Sequence, residues 1–166
     1  RNAVLISKVE TETSADGLTV ITKSDVDGDG TYEFTTTKAT VVAVDNSITT
    51  TETTRSENGT TKQSWRSTYI NPTRTSTTIR EDLDGDNKND RVKSLVNQAA
   101  GTTVETLSTY SRNATLTSRT VTTTSADSLS VTIAADVDGN GTTDLTTTDV
   151  TVLNADGSRS QTVSVL

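Results

Sequence analysis

The stretch Asp25-Val26-Asp27-Gly28-Asp29-Gly30-Thr31-Tyr32-Glu33 decides how this chain is read, because it occurs three times. It returns as Asp82-Leu83-Asp84-Gly85-Asp86-Asn87-Lys88-Asn89-Asp90 and as Asp136-Val137-Asp138-Gly139-Asn140-Gly141-Thr142-Thr143-Asp144. The common pattern is D-x-D-x-[DN]-[GN]-x-x-[DE], with oxygen-bearing side chains at loop positions 1, 3, 5 and 9. Side chains at alternate positions of a tight loop can converge on one point, and a hard cation takes six to eight oxygens there. A turn at position 6 needs positive φ, which Gly tolerates freely and Asn best among the rest. It lets the carbonyl of position 7 join the ligands.

The candidate ligands are therefore Asp25, Asp27, Asp29, Thr31 and Glu33 in the first loop. They are Asp82, Asp84, Asp86, Lys88 and Asp90 in the second, and Asp136, Asp138, Asn140, Thr142 and Asp144 in the third. Asp, Asn and Gly also build plain hairpin turns through side-chain hydrogen bonds. A plain turn does not need clustered carboxylates, which repel one another when no cation is present. The reading is calcium, about three ions per chain, favoured over magnesium by the many oxygens and the flexible loop. The chain has no His and no Cys, so zinc and other soft-ligand metals are not expected.

The spacing of the loops reveals a repeat. Asp25 and Asp82 are 57 residues apart, and Asp82 and Asp136 are 54 apart. The first and third copies align at an offset of 111: Arg1-Asn-Ala-Val-Leu5 with Arg112-Asn-Ala-Thr-Leu116, and Thr13-Ser-Ala-Asp-Gly-Leu18 with Thr124-Ser-Ala-Asp-Ser-Leu129. The middle copy has Asn71-Pro72-Thr-Arg74 at that turn. Three units follow, 1–55, 56–111 and 112–166. Each reads as four strands, which in the first unit are about 3–13, 18–24, 33–43 and 47–55. Turns at Ser14–Gly17 and Asp45-Asn46, the Asp loop, and the hairpin signal Asn58-Gly59 separate them. In the third unit Leu129, Val131 and Ile133 alternate with Ser130 and Thr132, the period of a half-buried strand. The links are short, so neighbouring strands are expected to pair antiparallel. The fold class is all-β: about twelve strands in tandem four-stranded antiparallel repeats, arranged as a linear array in which each unit buries its apolar face against its neighbours. A ring of propeller-like blades is the alternative, although three blades are too few to close one.

The first six positions of the loop resemble the start of an EF-hand. The acid at position 9, with Thr36, Lys93 and Thr147 at position 12 in place of Glu, departs from it. The nine-residue form is more similar to the hairpin calcium loops of integrin alpha-subunit propellers and to loops of bacterial secreted repeat proteins. Acidity, absence of Cys and Asp/Gly loops together resemble the repeat regions of RTX-class adhesins and matrix proteins. The nine-residue G-G-x-G-x-D motif of RTX proper is absent.

Composition narrows the function. The 166 residues are 30% hydrophobic and 3% aromatic, against roughly 45–50% apolar for a typical globular domain. Such a chain cannot fill a thick core, but Thr and Val are strand formers. A thin, repetitive β structure held partly by metal is the expectation. The net charge of −7 argues against nucleic acid as a partner, and no apolar run is long enough to span a membrane. The opening residues do not read as a signal peptide; they lie inside a repeat, which implies a longer parent. Zero Cys suits an extracellular or cell-surface bacterial protein stabilised by calcium.

Without His or Cys there is no catalytic triad of the usual kind, and the carboxylates cluster where metal binding explains them, so an enzyme is not expected. Trp65 and Tyr69 share a strand face and could stack on a sugar, although aromatics on a sheet more often fill a local core. The Thr runs at 35–37, 49–51, 122–124 and 146–148 read as solvated strand faces rather than a water-ordering array. Asn58-Gly-Thr60, Asn113-Ala-Thr115 and Asn140-Gly-Thr142 match the N-glycosylation pattern, the last on an expected ligand. The function read from these features is a calcium-stabilised structural or adhesive repeat module of a large extracellular bacterial protein, such as a fibre or biofilm-matrix subunit. Its partners would be calcium and copies of itself through open strand edges. The alternative is a carbohydrate-binding module attached to a secreted enzyme, with glycans as partners.

Overall fold

A computed structural model describes residues 5–57, 59 and 62–166. The expected match of Arg1–Val4 to the third unit, and Asn58 and Thr60 of the hairpin and glycosylation readings, lie outside the described residues. The described residues form twelve strands: β1 (Lys8–Thr13), β2 (Thr19–Asp25), β3 (Phe34–Val42), β4 (Ile48–Ser56), β5 (Lys62–Ile70) and β6 (Ser76–Asp82), then β7 (Arg91–Asn97), β8 (Thr103–Tyr110), β9 (Leu116–Thr124), β10 (Ser130–Asp136), β11 (Leu145–Leu153) and β12 (Arg159–Val165). All belong to one open sheet in sequence order, and each pairs antiparallel with the strands before and after it. Among the described residues there is no helix. The expected all-β linear array is what forms, as one continuous sheet rather than separate blades.

Two kinds of hairpin build this meander. The plain turns share one geometry, a four-residue turn closed by a backbone hydrogen bond from its last residue to its first, as in Gly17 N to Ser14 O and Asn46 N to Ala43 O. The last residue has positive φ even where it is not Gly, as in Asn46 (66°), Arg74 (61°) and Ser128 (60°). The Ser14 hydroxyl and Asp16 carboxylate brace the first turn by accepting from Thr19 N and Leu18 N. The three Asp loops are the other kind, joining β2 to β3, β6 to β7 and β10 to β11. Successive hairpins alternate between the two margins of a meander, so all three Asp loops leave the same margin. They recur every four strands, roughly 19 Å apart at about 4.8 Å per strand.

The expected burial of apolar faces between units does not occur. No hydrophobic residue is buried among the described residues. Ile133, on the supposedly buried face, is 36% exposed, while Thr132 on the other face is half-buried. Units join edge to edge through strand hydrogen bonds, so both faces stay open, and the sparse apolar side chains form no second layer.

Cross-strand pairs take over the role of a core. Lys38, Glu52, Arg66, Glu81 and Arg91 stand opposite one another in turn across β3 to β7, an alternating row of charge on one face. Glu81 sits 2.7 Å from Arg91 Nε and 3.6 Å from Arg66 Nε. Opposed threonines link by hydroxyls, Thr36 with Thr54 at 2.9 Å and Thr40 with Thr50 at 3.1 Å. Because side chains alternate, each Thr run divides between the two faces.

Candidate metal sites

Each Asp loop begins on the last residue of a strand, Asp25, Asp82 or Asp136. These three are among the few buried residues of the described chain, at 1%, 1% and 6% exposure. A buried carboxylate must be hydrogen-bonded, and each of these accepts from its own loop. Oδ1 takes the N–H of position 4, from Gly28 at 2.6 Å, Gly85 at 2.7 Å and Gly139 at 2.7 Å. Oδ2 takes the N–H of position 6, from Gly30 at 3.0 Å, Asn87 at 2.9 Å and Gly141 at 2.9 Å.

The remaining candidate positions wrap the loop in the same way. The position-3 carboxylates of Asp27, Asp84 and Asp138 accept from the N–H of position 5. Asp29, Asp86 and Asn140 accept from the N–H of Thr31, Lys88 and Thr142, and the Thr142 hydroxyl also donates to Asn140. At position 9, Glu33, Asp90 and Asp144 reach back to the N–H of Val26, Leu83 and Val137. The N–H dipoles hold the acids together even before any cation is considered.

The expected positive φ at position 6 is present: 95° at Gly30, 70° at Asn87 and 91° at Gly141. Sequence reasoning missed position 4, where Gly28, Gly85 and Gly139 have φ of 77°, 79° and 75°. The loop leans there on the backbone at or just ahead of the start of a neighbouring strand. A Cβ would stand 2.3 Å from the Leu5 carbonyl oxygen, 1.9 Å from that of Lys62 and 2.2 Å from that of Leu116. The signal was available, since Gly fills that position in all three loops.

The geometry brings Asp25, Asp27, Asp29 and Glu33 together, each offering an oxygen within 4.8 Å of the others. Asp82, Asp84 and Asp86 form the second cluster and Asp136, Asp138 and Asp144 the third. Asp90 does not join the second cluster. Convergent, oxygen-only donor sets suit a hard divalent cation, so all three clusters could hold a metal ion.

The second loop differs in its cations. Lys62 Nζ lies 2.6 Å from Asp82 Oδ2 and 2.8 Å from Asn87 Oδ1. Arg112 Nη2 is 3.5 Å from Asp84, and Lys88 Nζ is 3.9 Å from Asp86 and 2.7 Å from the Arg112 carbonyl oxygen. Among the described residues no ion pair reaches an acid of the first or third loop. Burial, the largest influence on Asp82, pushes its pKa up, but the Lys62 ammonium and the N–H groups of Asn87 and Gly85 outweigh it and hold the carboxyl below its ordinary value. Asp136 is also lowered. Burial is again the largest influence and opposes, and the N–H groups of Gly141, Gly139 and Asn140 prevail.

Trp65 and Tyr69 share one face of β5 with the buried Ser67 between them. Trp65 stands opposite Asp82 and lines a shallow recess with Thr53, Arg55 and Lys62. Compared with protein families, characterised proteins and solved structures, the chain shows no match.

Proposed function

We propose that this chain is a calcium-stabilised structural repeat module of an extracellular or cell-surface protein, in which the Asp loops staple an otherwise coreless sheet. The observation that carries the reading is the pairing of two facts. The sheet buries no hydrophobic residue among those described, and along one margin it places three clusters of carboxylates with oxygens within 4.8 Å of one another. A sheet without a core needs another source of stability. Ligands gathered by folding turn metal-binding energy into folding energy.

Calcium fits the oxygen ligands and the loop flexibility, and extracellular modules of this kind bind in the millimolar range. At free calcium 100-fold above the dissociation constant, each site contributes about 2.7 kcal/mol. Two or three such sites are comparable to the whole stability of a domain. The likeness of the loops to integrin-propeller and bacterial repeat-protein calcium loops supports the same assignment. The open edges of the sheet support an adhesive, fibre or matrix role, since a meander of this kind can extend by adding strands there. The test is thermal unfolding followed by circular dichroism with calcium and with excess chelator. A large calcium-dependent rise in melting temperature supports the proposal, and superimposable curves refute it.

A further inference from the structure

We infer that the middle Asp loop is closed by a lysine of its own chain and takes no divalent cation, so that only the first and third loops bind metal. The inference rests on the calcium reading of those two loops and specifies how the three sites divide. The position that differs is the residue under the position-4 glycine: Leu5 for the first loop, Lys62 for the second, Leu116 for the third. Each precedes its loop's first Asp by 20 residues. Where leucine stands, no cationic side chain among the described residues pairs with the acids. Where lysine stands, the ammonium sits on Asp82 at 2.6 Å and Asn87 at 2.8 Å, with its side chain only 16% exposed.

Lone-pair accounting gives the chemical reason. A carboxylate oxygen offers two acceptor sites. Asp82 Oδ2 fills both, with Asn87 N–H and Lys62 Nζ. Asp25 Oδ2 and Asp136 Oδ2 each accept one N–H, from Gly30 and Gly141, and keep one site for a cation. Charge agrees. The three clustered carboxylates of the second loop, Asp82, Asp84 and Asp86, each face a cationic side chain, Lys62, Arg112 and Lys88, which leaves no net negative charge among them. The first loop keeps four carboxylates and the third keeps three, none of them paired with a cationic side chain among the described residues. The absence of Asp90 from the second cluster removes a further ligand.

Trp65 makes the inference testable at a single loop. It is the only tryptophan of the chain, and it stands opposite Asp82 and lines the recess that Asp82, Asn87 and Lys62 share. Terbium bound in the middle loop would be sensitised by selective Trp excitation; terbium in the other loops would not. The experiment measures calcium stoichiometry by calorimetry and Trp-sensitised terbium emission for the wild type, Lys62→Leu and Leu116→Lys. The wild type should bind two calcium ions and give little Trp-sensitised emission. Lys62→Leu should gain a third ion and strong emission, and Leu116→Lys should fall to one ion. Leucine at 5 and 116 is native to the sister positions, and the Leu116 variant keeps the test decisive if Lys62→Leu does not fold. Three ions in the wild type, or strong wild-type emission, overturn the inference while leaving the calcium reading intact. An unchanged stoichiometry in the variants overturns it as well. No binding by the wild type, with one ion gained in Lys62→Leu, would uphold the lysine's role and refute the calcium reading of the outer loops; no binding in either refutes both.

Discussion

The first and second Asp loops share a pattern, a backbone path and a hydrogen-bond scheme, yet their acids are treated in opposite ways. In the first, Asp25, Asp27, Asp29 and Glu33 face one another with no cationic side chain among the described residues to separate them. In the second, Lys62, Arg112 and Lys88 stand on Asp82, Asp84 and Asp86. The scaffold is thus independent of how the charge is neutralised. N–H donors fold the loop, and a cation, external or internal, can offset the repulsion that remains. A recurring motif fixes where acids converge; the residues packed against it decide what they can hold.

The largest effect that could break this comparison comes from removing metal. With two sites contributing about 2.7 kcal/mol each at 100-fold excess, chelation should lower the melting temperature by roughly 10–20 °C. The loss should sit in β2–β3 and β10–β11, read as faster amide hydrogen exchange there than in β6–β7. Uniform exchange across the three hairpins would erase the distinction between loops.

Next in size is the backbone they share. Gly28→Ala combines strain at positive φ with a Cβ driven against the Leu5 carbonyl and should cost about 3 kcal/mol. Gly30→Ala, with open space around the new Cβ, should cost about 1 kcal/mol from φ alone. Gly85→Ala in the lysine-bearing loop should match Gly28→Ala in urea unfolding, since the two loops differ in charge and not in path.

Single carboxylates sharpen the contrast further. Asp25→Asn should remove one calcium ion from the stoichiometry and about 2.7 kcal/mol of calcium-dependent stability. Asp82→Asn should leave the number of bound ions unchanged while lowering stability equally with and without calcium. An ion lost from Asp82→Asn would place metal in the middle loop after all.

Acid should act through the same groups. Asp82 and Asp136 have folded pKa values below their ordinary ones. Their contribution is therefore fully present above the unfolded carboxylate value of about 3.9. It is lost as pH falls through the lower folded values. Melting temperature in chelator should be flat from neutral pH to about pH 5 and fall below about pH 4. The smallest effect belongs to the charge row: Glu81→Ala should cost about 0.5–1 kcal/mol, in line with partly exposed ion pairs, and should not alter calcium binding.

Much of this was legible in the sequence because turn chemistry is local. Asp and Gly at fixed offsets announce the loops, and Ser14-Ala-Asp-Gly17 or Asp45-Asn46 announce the plain turns; between them, Thr- and Val-rich stretches have no alternative to strands. The convergence of the acids at positions 1, 3, 5 and 9 followed from their spacing, and the structure gathers most of them. What escaped depends on neighbours distant in sequence. Lys62 reaches Asp82 across 20 residues, through a register that no local pattern specifies. Gly28 is constrained by the carbonyl of Leu5, not by its own turn. The alternation of Leu129, Val131 and Ile133 suggested a buried face, but period two fixes only which side a residue points to, not whether anything covers that side.

Each strand of this sheet pairs only with its predecessor and successor in the chain. Phe34 and Ser56, among the most widely separated partners, are 22 positions apart. Closing so short a span costs little chain entropy, and every new strand finds its partner already formed beside it. Such a chain has low contact order, the property that goes with rapid folding. It can zip up hairpin by hairpin as it is released from a ribosome, with no distant segment to wait for. The same connectivity governs damage: losing one hairpin separates two shorter sheets, each of which keeps its own pairings.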